Sequence, residues 1–274
     1  MTATLAQLIA LTTFGNAYLQ GKPLPEGFFP GNKAFYFCRS VDFSEFRRLF
    51  FFSKAKEKVV AATPGAWMAY LEKQECRKLR LYYQPSKEQG MAKDHQLAAF
   101  VGGGGNWMIE AVYSKTSIYW NNRWMVTHPD DPQQQIWTVN YGAFIQRQPI
   151  TDQQVPHSQA HEQLQQALRQ IHDFAHRCGE DNWAAVFAGA LAALEQPPPV
   201  NDDFLGSVLP QGEYQQAARQ LLAAARRAYV FGGMGSWNDI SFGDTAGQEA
   251  YDQLSEALYS AITNAVISAV NTGS

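Results

Sequence analysis

The sequence predicts an α+β protein, with an antiparallel β-meander in its first half and a helical second half. Two observations carry this. From Gln96 to Ile145 the stretches QLAAFV, WMIEAVY, SIYW, RWMV and QIWTVNYGAF follow one another, rich in apolar, β-branched and aromatic residues and separated by short polar breaks. After Pro149 the chain changes to long Ala-, Gln- and Leu-rich segments with helical spacing. At 274 residues, 46% hydrophobic and 17% charged, the chain is long enough to bury a sizeable core and has the composition of a folded protein.

The elements follow in order. Leu5, Leu8, Ile9 and Thr12 recur at helical spacing and predict a docked amphipathic helix. No Lys or Arg precedes Lys22, so the basic start of a signal peptide is missing. No apolar run reaches the roughly 18 residues of a membrane span. The expectation is a cytoplasmic protein with no membrane partner. AFYFC, within Gly31–Ser44, reads as an aromatic strand and leads into DFSEFRRLFFFS. Thr63 before Pro64 reads as an N-cap with proline at the first helical position, which places a helix from Pro64 to about Glu75. KLRLYY alternates Leu79, Leu81 and Tyr83 with Lys78, Arg80 and Tyr82, a strand period. The meander's breaks fall at Gly102–Gly105, Ser114–Thr116, Asn121–Asn122 and Pro129–Gln134. Asn tolerates positive φ, so Asn121–Asn122 predicts a two-residue hairpin turn, and loops this short predict an antiparallel sheet of about four or five strands.

In the second half, one helix is expected from about Pro156 to Cys178, stopped by Gly179. Another starts after Asp181 and ends before Pro197–Pro199. A third spans Glu213 to Val230 and breaks at Gly232-Gly233. The last covers about Ala246 to Asn271, with Leu254, Leu258, Ile262, Ala265, Val266 and Val270 on one stripe. The change at Pro149 fits either a boundary between regions 1–150 and 151–274 or the writing order of a single α+β domain. Charge divides there too. Residues 1–150 hold 17 Lys and Arg against 11 Asp and Glu, and residues 151–274 hold 5 against 14. An acidic end of this kind suits a basic partner.

Several motifs need weighing. Asp244–Glu249 spells DTAGQE, a phrase of small-GTPase switch regions, but no phosphate-binding loop accompanies it. A capping box made by Thr245 and Gln248 at the start of the last helix accounts for the same letters. His157, His161, His172 and His176 share one helical side, yet the two pairs lie about 16 Å apart along the axis and cannot share a metal. Cys38, Cys76 and Cys178 have neither disulfide nor zinc spacing. Ser236 lacks the glycine pattern of a nucleophile elbow. No catalytic residue, metal set or cofactor is assigned. Arg47, Arg48, Lys54, Lys56 and Lys58 among Phe46 and Phe50–Phe52, with Lys73, Arg77, Lys78 and Arg80, give a nucleic-acid reading that the acidic total opposes.

One phrase occurs twice. Gly102–Trp107 and Gly232–Trp237 both read G-G-x-G-[N/S]-W after an apolar run. The second continues as Asn238-Asp239-Ile240-Ser241-Phe242, a polar loop between two helices, where function is commonly placed. FGGMGSWNDISF and the following EAYDQLSEALYSAI resemble the tail of uncharacterised bacterial proteins of the toxin-immunity type. The resemblance implies a protein that binds and neutralises a cognate toxin, and it assigns no residue a role. The expectation is a non-enzymatic protein-binding protein with a basic toxin as partner. Its contacts would be Ser236, Trp237, Asn238 and Asp239, with Asp202 and Asp203, since interfaces rely on aromatic anchors and complementary charge. An enzyme with a site assembled from scattered residues, hydrolytic or metal-assisted, is the alternative, and a nucleic-acid-associated protein the second.

Overall fold

The computed structural model describes residues 1–47, 56–86, 93–100, 103–144, 148–149 and 154–272. Its helices are α1 (Ala3–Leu19), α2 (Phe28–Gly31), α3 (Pro64–Lys73), α4 (Asp94–Leu97), α5 (His157–Arg177), α6 (Asp181–Glu195), α7 (Asp203–Val208), α8 (Gln216–Ala228) and α9 (Thr245–Asn271). The strands are β1 (Cys38–Arg47), β2 (Lys56–Ala61), β3 (Lys78–Gln84), β4 (Asn106–Val112), β5 (Thr116–Val126), β6 (Trp137–Phe144) and the short β7 (Gln148–Pro149). The fold is α+β, with the sheet in the first half and the larger helices in the second.

The strand order is β2-β1-β6-β5-β4-β3, with β7 beside the start of β5. β3 to β6 form an antiparallel meander, of which β4, β5 and β6 fall in the expected Gln96–Ile145 stretch. The sheet as a whole is mixed, because β1 pairs with β6 in parallel. Alternation reveals which face of a strand is apolar but not its direction, so this pairing has no local signal. It places Val41 and Phe43 beside Val139 and Tyr141 on the core face. There the Phe43 ring stacks between Trp67 of α3, 4.5 Å away, and Tyr141, 5.2 Å away. Thr63 caps α3 as its sequence predicts, accepting from the Ala66 amide.

Several expectations are corrected. α1 is not amphipathic, since every residue from Gln7 to Ala17 is buried. Its polar residues bond internally, Thr13 Oγ1 donating to the Val208 carbonyl at 2.5 Å. AFYFC is a 3₁₀ turn at Lys33–Phe35 that only reaches β1 at Cys38. Asn121 and Asn122 lie inside β5, paired with β4 and β6, and Asn122 Nδ2 donates to the Trp107 carbonyl at 3.1 Å. QLAAFV is mostly α4 and the turn after it, started by Gln96 Oε1, which accepts from the Lys93 amide at 2.9 Å. α7 has no counterpart in the sequence reading. The cap of α9 is Asp244, whose carboxylate accepts from the Gly247 amide, and Gln248 accepts from Phe242 instead.

β3 is an edge strand, and an open edge leaves unpaired peptide groups. Two asparagines close it. Asn16 of α1 exchanges both bonds with Leu79, at 2.7 and 2.9 Å. Asn271 of α9 does the same with Leu81, at 2.8 and 2.9 Å. The first half and the last helix are thus hydrogen-bonded to each other, and the buried core runs continuously across both.

Candidate functional site

The two glycine-rich phrases converge on α4. In the first, Gly104 and Gly105 have φ of +76° and +80°, in the left-handed region that glycine tolerates. A Cβ on Gly103 would meet the Leu97 carbonyl at 2.2 Å, and one on Gly105 the Tyr83 hydroxyl at 2.4 Å. The turn therefore presses directly against α4 and β3. The residues flanking the second phrase reach the same helix from the other half of the chain. Phe231 lays its ring 5.6 Å from that of His95, and Asn238 Nδ2 donates to the His95 carbonyl at 3.0 Å. Gly102 lies outside the described residues.

What these loops hold is a pair of polar side chains. Asp94 Oδ2 accepts from the Tyr83 hydroxyl at 2.6 Å and from the Ser86 amide at 3.2 Å. Asp94 Oδ1 is buried and has no hydrogen-bond partner. His95 is 1% exposed, and its Nε2 is likewise without a partner. Beside them Lys93 Nζ pairs with Glu256 of α9 at 2.5 Å. These residues line a cavity of about 640 Å³ between the end of β3 and one side of α9. Val155 and Ile267 add apolar wall, and Tyr259 adds its ring.

Burial sets the protonation states. It holds His95 below its ordinary value, helped by the Lys93 ammonium and opposed by Glu256, Asp252 and Asp94. Burial and the bond to Asp94 raise the Tyr83 phenol far above its ordinary range. Burial also pushes Tyr259 up to about 12, and its hydroxyl donates to the Gly104 carbonyl at 2.6 Å. At neutral pH the site therefore offers a neutral imidazole and two neutral phenols, beside the spare Oδ1 acceptor of Asp94.

No protein-family model, curated protein or solved structure matches this chain.

The predicted contact residues divide. Trp237 is corrected outright: it is fully buried, so it presents nothing to a partner. Its Nε1 donates to Ser255 Oγ at 2.8 Å, and Trp183, Phe187 and Tyr251 surround its ring. Ser236 is half-buried and turns inward, donating to the Gly232 carbonyl at 3.0 Å. Asn238 donates to α4 through Nδ2, and its Oδ1 is buried without a hydrogen-bond partner. Asp239 is exposed and accepts from the Gly235 amide at 2.5 Å. Asp202 caps α7 through the Leu205 amide at 2.8 Å and faces Arg226 at 3.7 Å. Asp203, fully exposed, pairs with Lys33 at 2.8 Å. The aspartates of α7 are thus accounted for by a cap and two ion pairs.

The remaining motifs resolve without chemistry. His172 and His176 bond the neighbouring Asp173 and Asp181. Among the described residues, no three His, Cys, Asp or Glu side chains gather as a metal site. Cys38 and Cys76 are buried, which pushes their thiols up to about 11 and about 12. In the basic group, Lys78 donates to the Asn271 carbonyl and Arg80 faces Glu110 at 3.8 Å, while Arg48, Phe50–Phe52 and Lys54 lie outside the described residues. No helix among the described residues is long and apolar enough to cross a membrane. Asp94 and His95 were not singled out from the sequence. Their only local trace is an adjacent acid and imidazole before QLAAFV, and Tyr83 and Tyr259 reach them only through the fold.

Proposed function

We propose that this chain acts by binding, and that the cavity between α9 and the end of β3 is its recognition site. The observation that carries the reading is that two consecutive residues lining the cavity each hold a buried, unpartnered atom, Asp94 Oδ1 and His95 Nε2. Buried polar groups are nearly always hydrogen-bonded, and each one left alone costs about 1–3 kcal/mol. Two such groups on consecutive lining residues are sustained most simply when a ligand completes them. The size falls within the 300–1,000 Å³ or so typical of ligand sites, and convergent polar groups in a partly apolar wall are their usual chemistry. The surrounding pairs, Tyr83 with Asp94 and Lys93 with Glu256, fix the positions of these groups before a ligand arrives. A protein partner of the toxin type remains the macromolecular form of this proposal, with the acidic second half as its support.

The test is an NMR screen of the full chain with small fragments covering cations, anions and neutral molecules, reading the His95 and Tyr259 side chains. Binding fragments should shift these signals, and Ser260→Trp, at an exposed position on the cavity wall, should abolish the effect without unfolding the protein. Fragments that bind equally well to the blocked variant, or no fragments at all, would remove the reading.

A neutral His95 beside a carboxylate also suits proton transfer, and this favours a second reading as an acid–base enzyme. Turnover of a bound fragment, lost in His95→Gln while binding persists, would select it.

A further inference from the structure

Resting on the recognition site proposed above, we infer that the ligand group entering beside Asp94 is an organic cation, an ammonium or guanidinium carried on an apolar stem. Asp94 Oδ1 is an acceptor only, so whatever completes it must bring a hydrogen-bond donor. The two carboxylate oxygens turn together about the last torsion, so presenting Oδ1 to the cavity requires the Tyr83 and Ser86 bonds to Oδ2 to adjust with it. Nε2 of a neutral imidazole supplies a second acceptor when the proton sits on Nδ1.

The field around the cavity points the same way. Asp94, Glu256 and Asp252 stand near His95, against one ammonium, Lys93. That ammonium is already paired with Glu256. An anion entering here meets an excess of carboxylate and no free positive group among the described lining residues. A cation meets complementary charge in a partly enclosed space, where such pairing is strong. The walls suit it further. Tyr83 and Tyr259, their rings 6.5 Å apart, both belong to the lining, and aromatic rings attract cations. Val155 and Ile267 offer apolar surface for a methylene stem. Lysine and arginine side chains and free alkylamines share this chemistry.

The experiment measures affinity of the full chain for n-butylammonium, n-butylguanidinium, n-pentanol and pentanoate. A capped lysine amide and a short peptide with one central lysine complete the series. The cations should bind at least tenfold more tightly than pentanol, and pentanoate most weakly. Asp94→Asn should weaken the cations about tenfold and leave pentanol unchanged. Glu256→Gln, at an exposed position, should weaken them a few-fold. It serves as the second variant if Asp94→Asn fails to fold by circular dichroism. Tighter binding of the lysine peptide than of the free amine identifies a protein side chain as the source, and the reverse identifies a small amine. Equal binding of cation and alcohol, or cation affinity unmoved in both variants, overturns the inference. If pentanol or pentanoate enters, blocked by Ser260→Trp, while cations do not, the inference falls and the recognition site stands. If no probe of any charge reaches the cavity, the site reading fails as well.

Discussion

Trp237 and Met234 sit in one loop with opposite environments, 0% and 102% exposed. The difference follows from the left-handed turn at Gly235, which sends the chain inward after the exposed Met234. The consequences for stability are far apart. Trp237→Ala should cost about 3–5 kcal/mol, as expected for a buried aromatic removed from close packing. Met234→Ala should change stability by less than about 0.5 kcal/mol. Urea titration of the two variants checks this, and a Trp237→Ala protein of native stability would show that the ring is not core. The letters G-G-x-G-S-W announce a tight turn and a large ring, but not which side of the turn faces the protein. The same limit hid Asp94 and His95. An acid and a histidine in sequence mean little until Tyr83, Phe231 and Tyr259 close over them, and those contacts are set by topology alone.

At the scale of elements, β3 shows how a local signal and a distant one combine. Its alternation of Leu79, Leu81 and Tyr83 was readable because one face is buried and the other is not. That it is an edge, closed by Asn16 and Asn271, was not. Those two asparagines lie on apolar helical segments, where a polar residue has no role until its partner strand is known. Asn16→Ala and Asn271→Ala should each cost about 1–3 kcal/mol, because each leaves a buried peptide N–H and C=O without a partner. Asn16→Asp should also destabilise, since the carboxylate keeps the acceptor for Leu79 N and loses the donor to its carbonyl. A cost below about 0.5 kcal/mol for the alanine variants would mean that water replaces both bonds. The other elements sort by the same logic. α3, β4, α5 and α6 carry caps, breaks or periodicity of their own. The uninterrupted β5 does not: Asn121 and Asn122 favour a turn locally, and cross-strand pairing on both sides overrides them.

Across the whole molecule, one buried core spans the sheet and the helices, and α4 lies where the two halves meet. A proton taken up there is therefore felt by the entire fold. His95 is held below its ordinary value of 6.5 by burial and by Lys93, with Asp94, Asp252 and Glu256 opposing. In the unfolded chain the same imidazole titrates at the ordinary value. Below pH 6.5 the unfolded state thus binds a proton that the folded state still refuses, and stability falls as the pH falls. Above pH 6.5 neither state is charged at this position, and the contribution is constant. The slope from one such group is at most about 1.4 kcal/mol per pH unit. His95→Gln keeps a polar group of similar reach and removes the proton site. Its stability should decline less than that of the parent between pH 7 and pH 5, by urea titration at each pH. Parallel pH profiles would mean that water reaches His95 and hydrates its charge, and the imidazole would then no longer be the buried, unpartnered acceptor on which recognition in the cavity depends.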